Sequence, residues 1–192
     1  SCIAAKRFIV VEDIYDEFLT KFKAKVESYV VGNPKEDKTE VATMASVSLA
    51  EEVEQQVKKS LDKGAKVVYG NKREDALYHP TILENVTAEM PVFKEEVFGP
   101  VAAIIKVKNE DEAYEAASNS RFGLGSMVFT KNTDKAKKRI GDIADGAFFI
   151  NELVKSDPRL PFGGTKASGY GRELSKEGIR EFVNVKTVYS SK

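Results

Sequence analysis

One cysteine, one histidine and no tryptophan occur in 192 residues, and each scarcity closes a class of chemistry. Cys2 alone forms no intrachain disulfide, so this is not a disulfide-stapled secreted scaffold. With His79 its only histidine, the chain has no Cys/His/carboxylate spacing that suggests a metal. Charge excess is absent too: 30 Lys and Arg balance 30 Asp and Glu, leaving no global field to draw in nucleic acid or an anionic membrane. The 11 Phe and 7 Tyr do not alternate with basic residues as a base-stacking surface would. No run approaches the roughly 20 apolar residues that cross a bilayer, and no secretory signal is visible. A reducing, cytoplasmic setting and a small-molecule partner are the expectation.

What is present fits an ordinary globular protein, 42% hydrophobic and 31% charged, long enough for one domain with a sizeable core. The first residue is Ser rather than Met, so the chain is expected to be a piece of a longer protein. Ile14, Phe18, Phe22 and Val26 recur at four-residue spacing, which predicts one face of an amphipathic helix. Gly32-Asn33-Pro34 should end it. Ser48 with Glu51 reads as a capping box that opens a second helix, striped by Val53, Val57 and Leu61 and stopped by Gly64. Strands are predicted at residues 66–70, 79–86, 101–107, 124–130, 147–151 and 185–189, and helices at 110–119, 134–143 and 176–182. This alternation predicts an α/β fold with a largely parallel open sheet covered by helices.

Four segments can carry chemistry. Cys2 is either a small buried hydrophobe or a thiolate nucleophile, reactive once a neighbouring base or donor activates it. Glu95-Glu96-Val97-Phe98-Gly99-Pro100 is either a solvated acidic pair beside a turn or a rigid support. As a support, its carboxylate can accept both hydroxyls of a ribose while the adjacent aromatic packs beside a nicotinamide. Gly163, Gly164, Gly169 and Gly171 predict a tight irregular loop; their spacing is neither a Walker A pattern nor a Rossmann fingerprint. Residues 154–159, Val-Lys-Ser-Asp-Pro-Arg, form a polar, partly cationic loop. In it Lys155 and Arg159 read equally as solvent-facing charges or as anion contacts. A Cys2–His79 hydrolase pair is conceivable, with nothing around either residue to support it.

Taken together, these segments resemble the C-terminal, catalytic-domain half of the aldehyde dehydrogenase superfamily. Cys2 is followed by small residues, then Lys6-Arg7 and an apolar strand, as the family's nucleophile is. E-E-V-F-G-P and P-F-G-G-T-K-A-S-G-Y-G-R-E follow in the family's order. The polar loop, G-R-E-L-S and F-V-N-V-K-T-V are most similar to succinate-semialdehyde dehydrogenases. The resemblance implies that Cys2 attacks the aldehyde, Glu96 holds the nicotinamide ribose and Phe98 lies against the ring. It also implies that Phe162 belongs to the substrate funnel and Ser156 contacts the substrate's carboxylate.

NAD or NADP is the implied cofactor, with most of its binding domain, the oxyanion Asn and the general-base Glu outside this chain. Residues 1–184 are expected to form the catalytic domain. Residues 185–192 would be a strand that joins a neighbouring subunit of a homodimer or homotetramer. Two rivals remain: an isolated, non-catalytic folded module, and a thiol hydrolase that uses Cys2 without a nicotinamide.

Overall fold

The computed structural model describes residues 3–192, and the backbone divides into two compact units, Ala4–Asn119 and Ser120–Lys192. Cys2 lies outside the described residues. In the first unit β1 (Arg7–Val11) runs straight into α1 (Glu12–Glu27), and α2 (Val47–Leu61) precedes β2 (Lys66–Tyr69). A small hairpin of β3 (Arg73–Glu74) and β4 (Leu77–Tyr78) leads to β5 (Thr81–Glu84). Then come the short α3 (Pro91–Lys94), β6 (Val101–Val107) and α4 (Glu110–Ser118). Sheet order is β1-β6-β5-β2, parallel except where β2 runs against β5. The fold is thus mixed α/β with a mostly parallel sheet, as the alternation predicts.

The run Val-Ala-Ala-Ile-Ile-Lys-Val explains the position of β6, because a strand apolar on both sides is stable only between two covering layers. Its odd-numbered residues, Val101, Ala103, Ile105 and Val107, pack with Leu83, Val53, Val57 and Phe93. Ala102 and Ile104 point the other way, to Val10, Tyr15 and Ile82, with Phe18, Leu19 and Phe22 of α1 around them. Ile104 is fully buried, which contributes about 1.5–3 kcal/mol of transfer free energy. Lys106 is the polar exception, and its ammonium lies 5.0 Å from the Tyr15 ring centroid.

Local details differ from expectation for physical reasons. Ile14 is exposed and Tyr15 buried: a strict four-residue repeat drifts about 40° per step on a 3.6-residue helix. The real face of α1 therefore uses spacings of three and four. Gly32-Asn33-Pro34 does not end α1, which stops at Glu27 with the Ser28 N–H bonded back to Lys25 and Val26 carbonyls. The cap of α2 is Ser46, whose hydroxyl accepts the Leu49 N–H at 3.2 Å, while the Ser48 hydroxyl lies 2.9 Å from that of Ser46. The strand expected from His79 starts at Thr81, because Pro80 brings no N–H to a ladder.

The second unit contains β7 (Phe122–Gly123), β8 (Ser126–Val128), α5 (Thr133–Lys138), a 3-10 turn (Ile140–Asp142), β9 (Phe148–Ile150), β10 (Thr165–Lys166) and α6 (Ser175–Arg180). β8 and β9 pair parallel, and β7 and β10 antiparallel. The helix expected at residues 134–143 breaks at Arg139, just before the poor helix former Gly141. The helix expected at residues 176–182 runs from Ser175 to Arg180, with Leu174 in the N-cap position at φ 63°. Residues 185–189 form no strand within this chain, and Val185, Val188 and Tyr189 are exposed. No helix among the described residues is long and apolar enough to cross a membrane.

Candidate active site

The Glu95–Pro100 turn is fixed at both ends and in the middle. α3 begins on Pro91, buries Val92 and Phe93, and stops where Glu95 turns extended, with its N–H bonded to the Pro91 carbonyl at 2.8 Å. At the far end the Pro100 carbonyl accepts the Thr81 N–H at 2.8 Å, tying the turn to β5. Val97 is buried between them. Gly99 is required by packing, since a Cβ there would lie 2.8 Å from Val53 Cγ2. From α2, Gln56 Nε2 donates to Glu95 Oε2 at 3.0 Å and to the Glu96 carbonyl at 3.3 Å.

Glu95, Glu96 and Phe98 are all exposed, with the Glu95 carboxylate held by Gln56. Among the described residues no hydrogen bond or ion pair reaches the Glu96 carboxylate. The Phe98 ring is 54% exposed and has the Lys6 ammonium 5.0 Å from its centroid, within cation–π range. An unpartnered carboxylate beside an open aromatic face fits a nicotinamide riboside: the first can accept two hydroxyl donors, and the second can lie against a flat ring.

Arg7, at the start of β1, is a clasp. Its guanidinium donates to Phe93 O at 3.0 and 2.7 Å, to Ala116 O at 3.1 Å and to Asn119 O at 2.8 Å. It also lies 3.8 Å from the Phe93 ring centroid. Burial lowers its pKa from the ordinary value, but a guanidinium starts so high that the charge remains. The beginning of β1 is thereby locked to the ends of α3 and α4.

In the second unit Asn151, at φ 55°, closes the end of β8 and β9. Its amide accepts the Thr130 N–H at 2.8 Å and donates to Thr130 O at 2.9 Å. The polar loop leaves from there. Val154 is buried and pins the loop. Asp157 accepts the Arg159 backbone N–H and Nε, both at 2.9 Å, and Nη2 at 2.6 Å. That hydrogen-bonded cation holds the Asp157 carboxyl well below the usual carboxylate range, and the Asp157 carboxylate in turn raises the Arg159 pKa.

Lys155 is likewise paired, 3.1 Å from Glu152. Both cations of the loop are therefore engaged by neighbours. Between them Ser156 is exposed, and its hydroxyl meets no partner among the described residues. Phe162 is half-buried and bridged to Glu173 by two backbone hydrogen bonds of 2.8 and 2.7 Å. A groove lined by Arg159, Pro161, Ser175, Lys176 and Glu177 contains neither of these expected residues.

Glu96 and Phe98 thus share one turn of the first unit, and Ser156 and Phe162 share the loop region of the second. Cys2 lies outside the described residues. His79 faces Glu74, with Nε2 3.7 Å from Oε1. Gln56 went unnoticed in the sequence, and Lys6 and Arg7 were read only as part of the pattern that follows Cys2. Gln56 carried a usable signal: an amide on the same helical stripe as Val53 and Val57.

The Aldehyde dehydrogenase family matches residues 1–188 of the chain. Succinate-semialdehyde dehydrogenase [NADP(+)] of Mycobacterium leprae is 48% identical over 192 residues, covering 98% of this chain and 42% of that protein. Among solved structures, succinic semialdehyde dehydrogenase from Streptococcus pyogenes in complex with NADP+ superimposes with TM-score 0.92 at 40% identity, covering 100% of this chain and 43% of that one. Glyceraldehyde-3-phosphate dehydrogenase GapN from Methanocaldococcus jannaschii, complexed with NADP, gives 0.93 at 39% identity, covering 100% and 42%. This chain belongs to the aldehyde dehydrogenase family. It spans less than half the length of the curated relatives it matches.

Proposed function

We propose that this chain is the catalytic half of an NAD(P)-dependent aldehyde dehydrogenase that oxidises succinate semialdehyde to its dicarboxylic acid. Support comes chiefly from the Glu95–Pro100 turn, which offers an unpartnered carboxylate and an open aromatic ring on a backbone anchored at three points. Relatives named as NADP-dependent make NADP the favoured cofactor. Glu96 would hold the nicotinamide ribose and Phe98 would lie against the ring. When bound, the nicotinamide supplies the hydride acceptor.

The chain's own part begins at Cys2. Its thiolate adds to the carbonyl carbon, forming a C–S bond as the carbonyl electron pair moves to oxygen. Once the hydride has left, the carbon–oxygen double bond re-forms as a thioester. Water then cleaves the C–S bond, releasing the acid and restoring the thiol. Ser156 would donate a hydrogen bond to the substrate's distal carboxylate, and Phe162 would line its entry. Arg159 is the weaker candidate for that carboxylate, because Asp157 already accepts its donors. Residues 1–184 would act as the catalytic domain, with residues 185–192 adding a strand to a second copy in a homo-oligomer. A reducing, cytoplasmic setting would keep the lone thiol free.

The test is NADPH production from succinate semialdehyde by the full-length protein, with Cys2→Ala beside it. The variant should lose at least about two orders of magnitude in turnover while still binding dinucleotide. Residual activity above about one per cent would rule out Cys2 as the nucleophile. Ester cleavage without any dinucleotide would point instead to a thiol hydrolase.

A further inference from the structure

The buried stripe of α2 is not wholly apolar. Alongside Ala50, Val53 and Val57 it carries Gln56 and Ser60, both buried. A polar side chain survives inside only where its hydrogen bonds are made. Ser60 Oγ donates to the Gln56 carbonyl at 2.8 Å and accepts the Val92 N–H at 3.2 Å, fastening α2 to α3. Two turns earlier in α2, Val53 packs on Gly99 at the far end of the turn. Between these two grips sits Gln56, only 7% exposed. Its two partners, Glu95 Oε2 and the Glu96 carbonyl, are both acceptors. The amide must therefore present its NH2 group to them and not its oxygen.

These two hydrogen bonds reach consecutive residues of the turn, by a side chain at Glu95 and by the backbone at Glu96. Glu95 is extended, at φ −99° and ψ 164°, and side chains of an extended backbone alternate sides. Glu95 and Glu96 are both exposed, Val97 is buried and Phe98 is exposed, and of the two carboxylates it is that of Glu95 that is tied to α2. Val97 anchors the turn through its own burial. The Gln56 amide adds two polar ties, one to the Glu95 carboxylate and one to the Glu96 carbonyl, so the backbone from which the Glu96 side chain projects is held from α2.

We infer that Gln56 is a positioning residue for the cofactor: its amide holds the Glu95 carboxylate and the Glu96 carbonyl, and so steadies the turn from which Glu96 and Phe98 would meet the nicotinamide riboside. This rests on the proposed reading of Glu96 as the ribose contact. Gln56 touches neither cofactor nor substrate in this scheme and acts only through Glu96 and Phe98. Its effect therefore belongs in cofactor binding and not in aldehyde binding.

The experiment uses the full-length protein and four variants, with cofactor KM, aldehyde KM, kcat and thermal midpoint measured for each. Gln56→Met keeps the volume and removes the donors, and should raise cofactor KM by about tenfold, the worth of a hydrogen bond to a charged acceptor. Aldehyde KM should stay within about twofold. Combined with Glu96→Gln, Gln56→Met should add little, because a residue acting through another is non-additive with it. Ser60→Ala breaks the neighbouring anchor and should lower the thermal midpoint with cofactor KM unchanged.

Gln56→Glu places a carboxyl at the site now 3.0 Å from Glu95 Oε2, where two carboxylates resist ionising together. Its cofactor KM should fall as pH is lowered toward about 5, a dependence that plain loss of packing does not produce. Additive behaviour of Gln56→Met with Glu96→Gln, or equal rises in both KM values, would overturn the inference. So would a silent Gln56→Met beside an impaired Glu96→Gln, which leaves the Glu96 reading intact. A silent Glu96→Gln would remove that reading, and the inference with it. Should Gln56→Met fail to fold, the Gln56→Glu profile decides alone, and a flat one overturns the proposal.

Discussion

Residues 4–119 hold nearly all of the buried hydrophobic side chains, from Val10 to Tyr114, whereas among residues 120–192 only Ala136 and Val154 are buried to that degree. The second unit keeps its shape by other means. Asn151, Lys166, Leu174 and Ser175 adopt positive φ. Arg172 donates to the carbonyls of Gly164 and Gly171 at 2.9 and 2.6 Å. Gly146 abuts the Gly163 carbonyl so closely that any Cβ would overlap it.

Its apolar groups Phe129, Leu153, Leu160 and Tyr170 remain more than half exposed. A unit filled by interlocking side chains suffers from lost atoms; a unit held by close backbone fit suffers from added ones. The same contrast separates the two candidate half-sites. Glu96 rides on a turn anchored by buried groups, and Ser156 on a loop pinned by Val154 and two local ion pairs.

The largest effect should come from a cavity in the first unit. Ile104→Ala should cost about 2–5 kcal/mol, read by urea denaturation, while Leu160→Ala in the second should stay within about 0.5 kcal/mol. Similar losses for both would break the contrast.

Next comes Ser156→Ala, expected to weaken binding of succinate semialdehyde by about 10–100-fold, since a hydrogen bond to a charged group contributes about 1.5–3 kcal/mol. Uncharged aldehydes and the thermal midpoint should be unmoved, because an exposed hydroxyl without protein partners stabilises nothing. Equal loss for charged and uncharged aldehydes would mean that the loop itself is damaged.

Adding one carbon sharpens the comparison from the other side. Gly146→Ala should destabilise by about 1–3 kcal/mol through overpacking. Gly141, with nothing near its absent Cβ, should gain up to about 1 kcal/mol as Ala, through a less flexible unfolded chain. Both follow from one thermal-melt series.

The smallest effect distinguishes two carboxylates of the second unit by sign. Burial raises the Asp145 pKa against the help of a Ser126 hydrogen bond, so the native state holds this proton more tightly than the unfolded chain. Its contribution is favourable in acid and turns unfavourable as pH rises through the native value. Asp145→Asn should therefore raise the thermal midpoint at neutral pH, with the gain fading in acid. Asp157 runs the opposite way. Arg159 lowers its pKa, giving stability that is present above the unfolded value of about 3.9 and lost as pH falls through the native one. Asp157→Asn should lower the midpoint slightly at neutral pH, and slightly only, because the pair is exposed and screened. Shifts of the same sign would contradict these environments.

Elements whose signals lie in consecutive residues were readable in advance. β6 coincides with its apolar run, and α4 starts where Asn109 accepts the Glu112 N–H at 3.0 Å. The Glu95–Pro100 motif was readable as a turn. Which serine caps α2 was not, because Ser46 and Ser48 compete for one role and the choice depends on where the preceding chain arrives. Nor was the pairing of Arg159, which reads alike as a free cation and as half of an ion pair. Residues 185–189 have the β-branched composition of a strand, but a strand needs a neighbour, and none pairs with them within the described chain.

Sequence by itself determined the α/β alternation, the central strand and the family motifs, because each is written in side-chain type over a few neighbouring positions. Only the tertiary structure decided that the carboxylate of Glu95 and not that of Glu96 bonds to Gln56, that Arg7 clasps the ends of two helices, and that Ser156 stands between two engaged cations. Those outcomes depend on groups far apart in the chain. Gln56 and Glu95 are 39 positions apart, and Arg7 and Asn119 are 112. A hydrogen bond acts over about 3 Å of space whatever the separation along the chain, so such contacts exist only once the sheet and its helices have brought their partners together.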